Sequence, residues 1–224
     1  NCLKFYVHFS QPMREGRDIF EQIQILDKDG EVVPDPWRRV ELWSLDARRL
    51  TLWIHPGRIK QGVNLREDFG PVLFPDQHYR LVLRSTVQNT HGTALKHDFE
   101  KPFRTSPEDH DRPLPRNWRL SNPEIGSREP LEVTFNEPLD RAQLERFLKV
   151  ESAGKQLTGT ISVASNERVW LFTPAANWPA EPCRLNVSGE LEDLAGNTPL
   201  RAFDTDLQQP ALAAPQLILP IETH

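Results

Sequence analysis

Residues 131–139 read Leu-Glu-Val-Thr-Phe-Asn-Glu-Pro-Leu, and the fold of the whole chain turns on them. Leu131, Val133 and Phe135 alternate with Glu132, Thr134 and Asn136, which is the period-two signature of a half-buried strand. Pro138 then lacks the amide hydrogen that a central ladder needs, so the chain leaves the sheet there. A near copy, L-K-F-Y-V-H-F-S-Q-P-M, occupies residues 3–13, with Phe5, Val7 and Phe9 in the alternating places and Pro12 at the exit. The chain therefore reads as one module used twice.

Composition supports the same division. The 224 residues exceed one small domain and fit two of roughly 100 residues each. Twenty prolines and eleven glycines punctuate short apolar runs, which predicts an all-β chain of many short strands and turns. A formal net charge of −5 comes without a basic block, so nucleic acid is not an implied partner. No apolar run approaches the roughly 20 residues that cross a bilayer, so no transmembrane segment is expected. The first residues already read as a strand, so any signal peptide has been removed or left out. The cysteines, Cys2 and Cys183, fall one to each half, which leaves no disulfide within a module and no C-x-x-C metal spacing. Cys183 is in phase with Leu185 and Val187, as a buried thiol behaving as a small hydrophobe would be.

Along the chain, Ile23 and Ile25 alternate before the turn Asp27-Lys28-Asp29-Gly30. Its aspartates read as turn formers that bond the backbone, since the further oxygen ligands of a calcium loop are missing. Residues 37–43 form another extended run, and Leu50, Leu52 and Ile54 alternate in the next strand, stopped by Pro56-Gly57. Residues 57–75 insert a segment too rich in Gly and Pro for a long helix. Ile59, Val63, Leu65, Phe69, Val72, Leu73 and Phe74 make it too apolar for a free linker. Tyr79, Leu81 and Leu83 follow as a strand, and Phe99 and Phe103 close the module. Residues 106–114 are a charged, Pro-rich connector, which predicts a preferred relative orientation of the two modules. In the second half Asp140 caps a short helical turn, and Trp170 with Phe172 and Cys183 with Leu185 and Val187 match the strands of the first.

The segments F-N-E-P-L-D, W-L-F-T-P-A, C-R-L-N-V-S-G and E-D-L-A-G-N-T-P-L resemble the bacterial Ig-like domain family of surface-layer and other secreted proteins. The resemblance covers residues of roughly 116–208 well. The first half resembles the family more loosely, through H-F-S-Q-P-M, L-T-L-W-I-H-P and H-Y-R-L-V-L. Two tandem immunoglobulin-like β-sandwiches are implied, at residues 1–105 and 115–207, followed by a Pro-rich tail at 208–224. The resemblance implies an extracytoplasmic location, in the periplasm or on the cell surface. It implies spacer or interaction roles and carries no catalytic residues to transfer.

No catalytic motif, metal site or cofactor site emerges from the residues themselves: there is no G-x-S-x-G elbow, no phosphate-binding glycine loop and no H-E-x-x-H pair. Asp193 and Asn197 read as turn formers before they read as oxygen ligands. By alternation Tyr6, His8, Trp53 and His55 face away from the core, and they are the candidate ligand-binding residues. Trp37 and Trp43 stand on the strand between. Such aromatics could stack on sugars or anchor a partner protein, or else form the floor on which the 57–75 insertion lies. Under that second reading Phe69, Val72 and Phe74 are buried. The expected function is a non-enzymatic structural or interaction segment whose partner is a protein or a glycan, the alternative being a carbohydrate-binding accessory module. One last mismatch concerns the ends. The second module has an opening strand near Trp118 and Leu120 that the first lacks, and the apolar run 216–219 is too hydrophobic for a solvated terminus. That run is expected to dock on a module edge or a neighbouring molecule, unless it is a linker.

Overall fold

The computed structural model describes residues 2–59, 64–203 and 216–224. Val63 of the insertion and the tail up to residue 215 thus lie outside the described residues, as does the side chain of Leu65. The chain divides into two compact units, residues 1–109 and 110–224.

In the first unit the strands are β1 (Lys4–His8), β2 (Ile23–Leu26), β3 (Leu42–Trp43), β4 (Arg49–Trp53), β5 (His78–Leu83) and β6 (Phe99–Arg104), with a short helix α1 (Asn64–Phe69) in the insertion. They form two antiparallel sheets in the orders β1-β4-β3 and β2-β5-β6. Alternation sets what lies between the sheets. Leu50, Leu52 and Ile54 of one and Ile23, Ile25 and Leu81 of the other are buried. Trp37 crosses the gap, donating its indole N–H to the Ile23 carbonyl at 2.9 Å. Phe5 meets the edge of the Trp37 ring and the ring of Phe103, which stacks on Tyr79.

The second unit has β7 (Arg119–Leu120), β8 (Leu131–Thr134), the helical turn α2 (Arg141–Leu144), β9 (Leu148–Ser152), β10 (Lys155–Gln156), β11 (Gly159–Ala164), β12 (Val169–Pro174), β13 (Cys183–Val187) and β14 (Ile218–Ile221). Its sheets are β11-β12-β8-β7 and β10-β9-β13-β14, all antiparallel. Leu131 and Val133 of β8, Trp170 of β12, Val150 of β9 and Leu185 of β13 share one core. Two of its three indoles are satisfied inside it, Trp170 on the Leu144 carbonyl at 3.0 Å and Trp178 on that of Glu129 at 2.8 Å, whereas the buried Trp118 Nε1 has no hydrogen-bond partner among the described residues. Asp140 caps α2, accepting from the amides of Ala142 and Gln143. The chain as a whole is all-β, built of antiparallel sandwiches.

The apolar run near the C-terminus docks on the edge of the second unit. β14 pairs with β13, Leu219 opposite Leu185 and Ile221 opposite Cys183. In the first unit β1 stands at a sheet edge, whereas its equivalent β8 lies between β12 and β7.

The insertion departs from expectation. Val72 is buried, but Phe69 is 69% exposed and Phe74 56% exposed. The segment is fastened by its backbone instead. The buried Arg58 guanidinium donates to the carbonyls of Phe69, Gly70 and Pro71 where α1 ends, and to those of Pro34 and Asp35 across the unit. Five carbonyls accept from this one cation. Because the anchor is polar and backbone-directed, the two phenylalanines are not needed as packing.

Candidate functional site

Register places the candidate residues. In the β1–β4 ladder Lys4 stands opposite Trp53, Tyr6 opposite Thr51 and His8 opposite Arg49, while Phe5 and Val7 oppose the buried Leu52 and Leu50. Opposed residues share a face. Lys4, Tyr6, His8, Arg49, Thr51 and Trp53 therefore form the outer face of this sheet, and Leu42, opposite Thr51, extends it onto β3.

This face pairs aromatics with cations. The Lys4 ammonium lies 5.3 Å from the Trp53 ring centre, the Arg38 guanidinium 5.8 Å from the same ring, and the Arg49 guanidinium 5.6 Å from that of Tyr6. All three distances fall within the roughly 6 Å reach of a cation–π contact. None of the strand residues on this face carries a carboxylate. Tyr6 and Trp53 are half-buried and His8 is exposed.

The four candidates do not converge. His8 opposes Arg49 and Trp53 opposes Lys4, so His8 and His55 lie at opposite ends of the ladder, roughly 20 Å apart at about 3.3 Å per residue. His55 has a structural task, its Nδ1 accepting from the Gly57 amide at 3.2 Å where the chain turns into the insertion. Trp37 and Trp43 leave the outer face altogether. Trp37 bridges to Ile54 and is buried. Trp43 opposes Leu50 and packs on Phe9 at 5.8 Å. The stretch 37–43 is not one strand, since only Leu42–Trp43 joins the ladder.

The remaining polar candidates serve turns. Asp27 Oδ1 accepts from the amides of Asp29 and Glu31, and Gly30 takes a φ of 87°. Asp193 Oδ1 accepts from Ala195 and Asn197, and its Oδ2 from the Asn197 side chain. Burial pushes the Cys183 thiol up, away from the thiolate a nucleophile needs.

Sequence reasoning missed a concave feature at the end of the other sheet in the first unit. Asp27, Lys28, Phe74, Gln77, His78 and Tyr79 line a pocket of about 270 Å³. Its loop is clasped by Thr105, whose hydroxyl donates to the Phe74 carbonyl at 2.6 Å and accepts from the Gln77 amide at 2.9 Å. The Phe74 amide in turn donates to the Tyr79 hydroxyl at 2.9 Å.

Residues 121–206 match the model of the bacterial Ig-like domain family, and that part of the second unit is a domain of this kind. A search of curated proteins finds no match. Among solved structures, the N-terminal part of the bacterial S-layer protein SbsC is similar at 11% identity with a TM-score of 0.35, over 100% of this chain and 42% of that one. A six-domain SbsC structure gives 15% identity and a TM-score of 0.33, over 84% and 22%. Native α-2-macroglobulin of Escherichia coli, domains MG0-NIE-MG1, gives 13% and 0.32, over 83% and 61%. The chain spans less than two thirds of the length of each. Among the described residues no helix is long and apolar enough to cross a membrane.

Proposed function

We propose that this chain is a non-catalytic interaction segment of a secreted or cell-surface bacterial protein, and that the outer face of β1, β4 and β3 is its contact surface. The observation that carries this reading is the clustering of Lys4, Arg38 and Arg49 against the rings of Trp53 and Tyr6. Aromatic and arginine side chains are the residue types that anchor protein interfaces. With three cations and no strand carboxylate, the face fits an acidic protein segment. An anionic glycan would meet the same charges and is the second reading.

The test uses the net charge as its control. A chain of charge −5 has no general affinity for a polyanion, so retention on immobilised polyglutamate at low salt requires a local basic surface. The expected result is salt-sensitive retention that is lost in the Arg38→Glu, Arg49→Glu double variant. No retention of the unaltered chain, or retention that survives the double variant, overturns the assignment. Preferential retention on polygalacturonate transfers the surface to the glycan reading.

A further inference from the structure

We infer that the pocket beside Phe74 is a binding site for a single sugar ring, separate from the contact surface proposed above and independent of it. The pocket lies where β2 ends and β5 begins, on the sheet opposite the cation–aromatic face. An exposed phenylalanine alone signifies little, because single apolar side chains on a surface are ordinary. What distinguishes Phe74 is that an exposed ring sits on backbone held at both ends. Its amide is bonded to the Tyr79 hydroxyl and its carbonyl to the Thr105 hydroxyl. The Thr105 hydroxyl also accepts from the Gln77 amide at 2.9 Å, and the Thr105 amide donates to the Gln77 carbonyl at 3.0 Å. Arg104 fastens Asp76 between them. A ring presented in this way loses little backbone freedom when a ligand arrives.

The groups around the ring fix the ligand class. Gln77 supplies an amide, His78 an imidazole, Asp27 a carboxylate and Lys28 an ammonium, all lining the same small volume. A flat apolar surface beside several donors and acceptors matches a pyranose, whose C–H face stacks on an aromatic while its hydroxyls need hydrogen-bond partners. The volume of about 270 Å³ is just under the roughly 300 Å³ at which pockets begin to admit drug-sized ligands. It holds one ring, and further residues of a glycan would extend into solvent.

The experiment is a titration of the ¹⁵N-labelled full chain with glucose, N-acetylglucosamine and glucuronic acid, read by amide shifts. For at least one of the three, saturable shifts are expected at Asp27, Lys28, Phe74 and residues 76–78, with a Kd of about 1–10 mM, the ordinary scale for a ligand of some dozen heavy atoms. Phe74→Ala and His78→Ala each weaken it at least tenfold, while Phe74→Tyr retains it. Thermal midpoints and polyglutamate retention stay unchanged in these variants, which separates a failure here from a failure of the contact surface. Absence of saturable shifts with all three sugars overturns the assignment. So do shifts centred elsewhere on the chain, or binding that survives both alanine variants.

Discussion

Arg58 shows how much a single side chain can organise without any sequence signal. It is 8% exposed and is satisfied by carbonyls from two stretches of chain far apart in sequence. Burying a guanidinium is tolerable only because its donors are all aimed at oxygen. Arg58→Met comes near the volume and removes the donors, leaving five carbonyls without this partner, at a cost of roughly 1–3 kcal/mol for each one that water cannot reach. We expect the denaturation midpoint of the first unit to fall while that of the second holds, as read by fluorescence or calorimetry. An unchanged first-unit midpoint would show that the insertion is held by other means. Nothing in G-R-I-K distinguishes this arginine from a surface one, because backbone carbonyls leave no mark on composition or spacing. For the same reason Phe69 and Phe74 are assigned to a core by their apolarity alone. The faces of Tyr6 and Trp53, by contrast, follow from alternation within true strands.

At the level of elements, the hairpin of β5 and β6 is tied at its loop by Asp98. Its carboxylate accepts from the Ser85 amide at 2.7 Å and from Arg84 at 3.0 Å. These bonds, the Ser85 amide first, hold its pKa down at about 2, against an ordinary value of 3.8. A pKa depressed in the folded state contributes stability that is fully present above the ordinary value and is lost as pH falls through the folded one. Asp98→Asn is therefore expected to lower the thermal midpoint at pH 7, with the gap to the unaltered protein closing between about pH 4 and pH 2. A gap that stays constant over that range would mean the charge is not what the loop uses. The strands themselves were legible wherever the period ran unbroken, as in β4, β8, β12 and β13. Residues 37–43 were less legible, since the one extended run expected there is an isolated bridge at Trp37 and a two-residue strand at Leu42–Trp43. The apolar run at the C-terminus was recognisable as a docking segment by its apolarity, and it docks through strand pairing that buries Ile221 and leaves Ile218 48% exposed. Its choice of β13 depends on which edge is open, and that is set by the sheet order.

On the scale of the molecule, the chain comprises two β-sandwich units that differ in what they present to solvent. The second joins its core across two four-stranded sheets and contains the bacterial Ig-like domain at residues 121–206. The first has smaller sheets and carries both the cation–aromatic face and the Phe74 pocket. All-β architecture could be read from periodicity because a sandwich buries alternate residues. Function was less accessible, since an interaction surface is defined by side chains that meet across strands and not by spacing along one of them. The direct test of the central proposal is hydrogen–deuterium exchange on the full chain with and without polyglutamate. The account predicts slowed exchange in β1 and β4 of the first unit, Lys4–His8 and Arg49–Trp53, with the second unit unaffected. Protection confined to the second unit, or none in either strand at concentrations where the chain is retained, would contradict it.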